Sequence, residues 1–371
     1  MAENNWFIIK DIEKLDTPSL VIYPERVKEN INILKGMIDD VSRLRPHVKT
    51  HKCRDATLLM LGAGISKFKC ATIAEAEMLG MSKAPDVLLA YQPVGPKLER
   101  FVRLIKSYPE TQYSCLVDNN AAAEHISEVA IQNDIVIPVY IDLNIGMNRT
   151  GIKPNEGALE LYLYCTTLPG IKPIGFHAYD GHVHDKELEI RQKRADEAFF
   201  KTEQLQKSIG EKGYPVPVII AGGSPTFPIH AARGVVECSP GTFIYWDRGY
   251  SLNCEEQPFL TAALVISRVI SLPDETKLCL DVGHKSISAE NELTKRIFFL
   301  NAPDLTFIGQ SEEHLVVDAG KNHQYKVGDV LYGLPYHICP TVALYERAIT
   351  IENNQISGEW RNIARDRKIT I

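Results

Sequence analysis

Between about residues 19 and 250 the chain alternates short β-rich runs with helical patterns, and no other feature restricts its fold as strongly. Strands joined through helices return to one sheet in parallel, because the right-handed crossover is the only efficient path for a twisted strand. The β-rich runs are 43–48, 67–71, 86–91, 112–118, 135–143, 171–179, 216–221 and 234–238. Helical patterns fill most of the gaps, at 24–38, 73–81, 119–132 and 186–211, and the last two connections are shorter. Eight such units in about 230 residues match a (β/α)8 TIM barrel, with a doubly wound sheet as the structural rival.

After residue 255 the texture changes. Runs at 259–271, 277–281, 304–308, 314–317, 327–333 and 348–352 read as strands with turn-like connections, so a mainly β domain follows the barrel. Two domains suit 371 residues. With 41 Lys+Arg against 47 Asp+Glu and no long run of either sign, the chain does not read as a binder of nucleic acid or of anionic membrane. No apolar run approaches the roughly 18–20 residues of a membrane span, and the first residues lack the order of a signal peptide, so a cytoplasmic location is expected. The eight cysteines are scattered without a C-x-x-C pair and read as reduced thiols.

Barrel enzymes carry their chemistry at the C-terminal ends of the strands. The first strand runs into Lys49, where a side chain reaches the barrel mouth, and the other strand ends supply what a pyridoxal phosphate (PLP) lysine needs. Strand seven leads into Gly222-Gly223-Ser224-Pro225-Thr226 and strand eight into Ser239-Pro240-Gly241-Thr242. Glycine lets backbone N–H groups approach a phosphate, and the hydroxyls add donors. Arg149, after strand five, offers a fixed guanidinium to the cofactor's phenolic oxygen or to a substrate carboxylate. Either glycine loop taken alone reads as a tight turn, and Arg149 alone as a loop ion pair.

The segments Thr17-Pro18, Arg45-Pro46-His47-Val48-Lys49-Thr50-His51-Lys52, Ala71-Thr72-Ile73-Ala74-Glu75-Ala76-Glu77, Gly146-Met147-Asn148-Arg149-Thr150-Gly151, His177-Ala178-Tyr179-Asp180-Gly181-His182, Gly222 to Thr226 and Pro240-Gly241-Thr242 carry a resemblance over nearly the whole chain. In this order they resemble the D-threonine aldolase and D-serine dehydratase family. The resemblance implies a PLP-binding barrel of alanine-racemase type over 17–255 and a β domain over 256–371 that also takes residues 1–16. It implies that Lys49, rather than Lys52, carries PLP. Arg149 and Tyr179 serve beside it, and Gly222, Gly223, Ser224, Thr226, Gly241 and Thr242 hold the cofactor. A head-to-tail homodimer is implied as well. One departure from the family pattern is Ala364-Arg365-Asp366, where Ala-Arg-Gly is often found.

His337 and Cys339 share one face in an extended conformation, so imidazole and thiolate can hold one ion. The resemblance makes this position the metal site, and the thiolate favours Zn2+ over Mn2+ or Mg2+. His182 and His184 read as loop hydrogen-bonding residues, and His47 and His51 as residues that shape the lysine loop. The expected activity is a lyase reaction on a β-hydroxy-D-amino acid, leaning to dehydration of the D-serine dehydratase type because of the thiolate. Retro-aldol cleavage to glycine and an aldehyde is the alternative. A racemase needs acid–base groups on both faces of the substrate, and a non-catalytic PLP-homeostasis protein typically has no second domain.

Overall fold

The computed structural model describes residues 6–371; of the segment 1–16 assigned to the β domain, residues 1–5 lie outside the described residues. Contacts divide the chain into two units. One holds the chain as far as Ile33, Thr50–Ala56 and Thr242–Arg365, and the other holds Leu34–Lys49, Thr57–Gly241 and Asp366–Ile371. The strands in chain order are β1 (Ser19–Ile22), β2 (Lys67–Cys70), β3 (Asp86–Leu89), β4 (Gln112–Val117), β5 (Ile137–Asp142), β6 (Ile171–Ala178), β7 (Val218–Ala221) and β8 (Val236–Cys238). They continue as β9 (Ala263–Ser271), β10 (Lys277–Leu280), β11 (Ile297–Phe299), β12 (Thr306–Gln310), β13 (Leu315–Asp318), β14 (Val330–Pro335), β15 (Arg347–Glu352) and β16 (Gln355–Arg361).

In the barrel unit β2 to β8 form a parallel sheet in chain order. The remaining gap is bridged by residues 44–48. Arg45 N donates to Cys238 O (2.8 Å) and His47 N to Pro240 O (3.0 Å) on one side. On the other side Val48 N donates to Lys69 O (2.9 Å) and Lys69 N to Pro46 O (2.9 Å). The eighth member is therefore present but is not the regular strand expected over 43–48. Residues Val41–Arg43 form a 3-10 turn, and only Leu44 and His47 make isolated parallel bridges. Pro46, without an N–H, interrupts the ladder between them.

The inward positions of β3, β4, β5 and β7 place Leu88, Leu116, Tyr140 and Ile220 in one buried cluster. Toward the N-terminal ends of the strands the interior is ionic. Buried Arg45 donates to Asp86 (2.6 Å) and Glu237 (2.7 Å), and Lys67 also pairs with Glu237. A buried guanidinium is tolerated when its donors are met this completely. The segment Ala71-Thr72-Ile73-Ala74-Glu75 also has a physical role. Thr72 Oγ1 accepts from Glu75 N (3.1 Å) and the Glu75 carboxylate accepts from Ala71 N (2.6 Å), which caps the helix Ile73–Met81 after β2.

The β unit is a nine-stranded sheet with the path β12-β13-β10-β9-β1-β15-β16, while β14 pairs with β9 and β11. Residues 17–33, grouped by sequence with the barrel, cluster here because β1 pairs antiparallel with β9 and parallel with β15. Phe7, Ile9 and Leu15 pack with Val21, Leu264, Tyr332 and Ile351 in its core. The sequence pattern missed β1, β11 and β16. β11 is only three residues long, and β16 is largely exposed and lacks a buried face to create alternation.

Candidate active site

A cavity of about 620 Å3 opens in the barrel unit among Lys49, Lys69, Gln92, Arg149, His177 and Tyr179. It lies where barrel geometry predicts, since Lys49 follows the bridging segment and His177 and Tyr179 stand at the end of β6. Lys49 is exposed, and its backbone N donates to His47 Nδ1 (3.3 Å). Lys52 adopts a positive φ of 49° in the other unit, where its carbonyl accepts from Ala364 N (3.1 Å). Only Lys49 of the two lines the cavity.

The cavity wall contains a polarised histidine. His177 Nδ1 donates to Asp142 Oδ1 (2.8 Å), and Gln92 Nε2 donates to Asp142 Oδ2 (3.0 Å). Burial lowers the His177 pKa against the opposing pull of Asp142, so the ring is a neutral imidazole. Burial would raise the Asp142 pKa, but the hydrogen bond and charge of His177 hold it below the ordinary carboxylate value. His177 Nε2 is buried without a hydrogen-bond partner, an acceptor waiting for a donor. Arg149 lies over the Tyr179 ring at 5.2 Å.

The glycine loop after β7 is held from behind. Asp180 accepts from His230 Nε2 (2.7 Å) and Thr226 Oγ1 (2.8 Å), and Thr226 Oγ1 accepts from Gly223 N (3.3 Å). Gly222 has φ of 78°, and a Cβ there would lie 3.0 Å from the His230 ring; a Cβ on Gly223 would lie 3.2 Å from the Tyr179 ring. Ser224 Oγ accepts from Gly241 N (3.4 Å), which ties the two loops together. The backbone therefore comes close to its neighbours only because side chains are missing, as a phosphate cradle requires. Thr242, the next residue, belongs to the β unit, and its hydroxyl lies 3.6 Å from Cys339 Sγ.

His337 and Cys339 are also in the β unit, but not on a strand. His337 is extended (φ −134°, ψ 104°) and begins the short helix Ile338–Val342 that contains Cys339. The buried Asp247 carboxylate accepts from Ile338 N (3.0 Å), and Thr341 Oγ1 donates to His337 O (2.9 Å), fixing the turn. The expected β conformation thus stops at His337, yet the two side chains still hydrogen-bond to each other. His337 Nδ1 also donates to Glu290, and Cys339 Sγ pairs with Thr50 Oγ1 (3.1 Å). Burial opposes protonation of His337, but Cys339, Glu290 and Asp247 outweigh it and raise the pKa to about 9. Among the described residues no group of three or more His, Cys, Asp or Glu converges as a metal cage.

Sequence reasoning passed over Lys69, Gln92, Asp142 and His230. Lys69 left a readable signal, since Lys67 and Lys69 alternate with buried Phe68 and so share the inward face of β2. Gln92 and His230 left none, because their roles depend on contacts distant in sequence. His182, read as a loop residue, packs against Gly146, where a Cβ would fall 2.4 Å from its ring.

Comparison with known proteins matches residues 22–249 to the alanine racemase N-terminal domain and residues 262–351 to a serine dehydratase domain. The chain is 29% identical over 362 residues to a D-threonine aldolase of Arthrobacter sp., covering 95% of this chain and 94% of that protein. It is 24% identical over 372 residues to a 3-hydroxy-D-aspartate aldolase of Paracoccus denitrificans, covering 96% and 93%. The crystal structure of a D-threonine aldolase from Filomicrobium marinum superposes with a TM-score of 0.86 at 25% identity, covering 94% of this chain and 95% of that one.

Proposed function

The chain belongs to the alanine-racemase-like family of PLP enzymes, and on that premise we propose that it cleaves β-hydroxy-D-amino acids into glycine and an aldehyde. It is a PLP-dependent lyase. The observation that carries the reading is the barrel cavity, which gathers the Lys49 amine, the Arg149 guanidinium and the His177 imidazole, with the Gly223 backbone packed against the Tyr179 ring of its wall. PLP fits these residues: His177 Nε2 is buried at the cavity wall without a hydrogen-bond partner, and Gly222 and Gly223 leave the loop backbone uncovered by side chains of their own. When bound, PLP supplies an electron sink for the α-carbon of the amino acid.

The chain's own groups do the rest. Lys49 would carry the cofactor, and its amine is able to hold or deliver a proton at the α-carbon. Gly222, Gly223, Ser224, Thr226 and Gly241 of the barrel unit would hold the phosphate, with Asp180 and His230 holding Thr226 in place. Arg149 and Tyr179 orient the bound molecule from one side, and the cation over the ring limits the motion of both. In cleavage the Cα–Cβ bond breaks, the β-hydroxyl gives up its proton as its carbon becomes the aldehyde carbonyl, and the α-carbon is reprotonated to give glycine.

His337 and Cys339 supply one imidazole and one thiol already in mutual contact, a donor pair suited to Zn2+ before Mn2+ or Mg2+. An ion held there supplies Lewis acidity toward a hydroxyl oxygen. The thiol favours dehydration, whereas the full-length likeness to two aldolases supports cleavage. Dehydration is the second reading, favoured by the serine dehydratase domain match over 262–351. We also propose that the chain works as a head-to-tail homodimer, to be checked by light scattering. No helix among the described residues is long and apolar enough to cross a membrane.

Product analysis separates the two readings. Incubation with D-threonine, D-serine and 3-hydroxy-D-aspartate should release glycine and an aldehyde; keto acid and ammonia in their place would establish dehydration. A racemised amino acid as the main product would defeat both.

A further inference from the structure

The two inward lysines of β2 have opposite fates. Lys67 is paired with Glu237. Lys69, two residues nearer the cavity, is 3% exposed and lines the cavity wall, yet its ammonium makes no hydrogen bond or ion pair with any described residue. The ammonium lies over the Tyr179 ring, 5.5 Å from its centre. Lys49 and Arg45 repel it, and Asp142 and Asp180 attract it without reaching ion-pair distance. Both carboxylates are already occupied, Asp142 by His177 and Gln92 and Asp180 by His230 and Thr226.

A buried ammonium without a partner is costly, and it either gives up its proton or takes a counter-ion. We propose that Lys69 is an anion-binding residue of the cavity, pairing with an anionic oxygen of the molecule bound there. This rests on the reading of the cavity as the PLP site. The oxygen has two sources of the same chemistry, the phenolate of the pyridoxal ring or a carboxylate of the amino acid. Either would balance the charge that Asp142 and Asp180, committed to other partners, leave unpaired. Burial and then the charge of Lys49 pull the Lys69 pKa down to about 7, so the amine gains a proton readily when an anion arrives.

The test compares wild type with Lys69→Met, which keeps length and removes charge, and Lys69→Arg, which keeps charge. Loss of a phenolate partner in the Met variant should weaken PLP binding by about tenfold and shift the pH midpoint of the cofactor's absorbance, with the KM for the amino acid unchanged. Loss of a carboxylate partner should instead leave the spectrum and PLP affinity alone and raise KM by about tenfold, with kcat nearly constant. A third measurement is free of the cofactor: malonate added to the apoprotein near pH 6 should raise the melting temperature of wild type and the Arg variant but not of the Met variant. If wild type forms no absorbing adduct with PLP while this malonate effect persists, the PLP reading fails and the anion site stands. A Met variant equal to wild type in spectrum, PLP affinity, KM and malonate response would overturn the proposal. So would equal responses in all these measurements if the Arg variant alone were folded.

Discussion

The barrel cavity and the turn at His337 both gather ionisable side chains, but they leave them in different states. Around His337 each group is engaged: imidazole with Glu290 and Cys339, thiol with Thr50, and the Asp247 carboxylate with two backbone N–H groups. In the cavity, His177 Nε2 is buried without a hydrogen-bond partner, and the Lys69 ammonium at the cavity wall pairs with no described residue. A satisfied cluster takes a new ligand only by displacing a proton or breaking a bond, whereas an unsatisfied one is short of a ligand as it stands. The cavity is thus short of a partner, whereas an ion would enter the His337 turn only by replacing the proton between its two side chains.

The largest effect that sharpens this contrast is expected at Lys49. Lys49→Ala should reduce kcat by about a thousandfold or more, while PLP still binds through the glycine loops. Borohydride reduction of the loaded wild-type protein, followed by peptide mapping, should place the label on Lys49. A label on Lys69 would exchange the roles of the two cavity lysines, and one on Lys52 would move the chemistry out of the cavity altogether.

Next comes the pair His337 and Cys339, proposed to hold a metal ion. Removing metal with a chelator should lower turnover by about a hundredfold and leave the absorbance of bound PLP intact. Cys339→Asp, which keeps an anionic donor but hardens it, should shift the activating ion from zinc toward manganese or magnesium. Full activity in protein found metal-free by elemental analysis would erase the distinction drawn between the two regions.

The glycine loop after β7, proposed to hold the phosphate, should respond more moderately. Gly222→Ala imposes a side chain at φ of 78° and places its Cβ against His230, whose contact with Asp180 holds Thr226. PLP affinity should fall by about tenfold, and thermal stability by about 1 kcal/mol. Unchanged cofactor affinity, read by fluorescence titration, would mean that the phosphate lies elsewhere.

Much of this arrangement can be read from sequence because it depends on local order. Parallel strands followed by glycines, a T-x-x-E cap after β2 and a lysine just past the first barrel segment are each written in a few consecutive residues. The interruption at Pro46 and the helix around Cys339 were less accessible, since both depend on who accepts each backbone hydrogen bond. The distant Asp247 carboxylate, which starts the helix after His337, lies 91 positions away from Ile338. The unpaired state of Lys69 is harder still, because it is defined by the carboxylates that choose other partners. β1 escaped detection for a related reason: only its neighbours β9 and β15 reveal which unit it serves.

The smallest effect tests the unsatisfied side of the comparison without any ligand. In the folded apoprotein Lys69 titrates near pH 7 because of burial and Lys49, while in the unfolded chain it keeps the ordinary lysine value. Between these two values the unfolded state binds the extra proton, so the contribution of Lys69 to stability rises with pH from about 7 upward. Below about pH 7 both states hold the proton, and the folded state bears the full cost of an unpaired charge facing Lys49, Arg45, Asp142, Asp180 and His177. Lys69→Met removes that cost. The variant apoprotein should therefore melt higher than wild type at pH 6, by about 1–2 °C for each kcal/mol recovered, and the gap should narrow toward pH 9 as wild type sheds the proton. A gap that stayed constant from pH 6 to pH 9 would trace the gain to packing of the methionine and not to charge. A variant that melts lower at pH 6 would mean that Lys69 has a partner in solution and that the cavity is as well satisfied as the His337 turn.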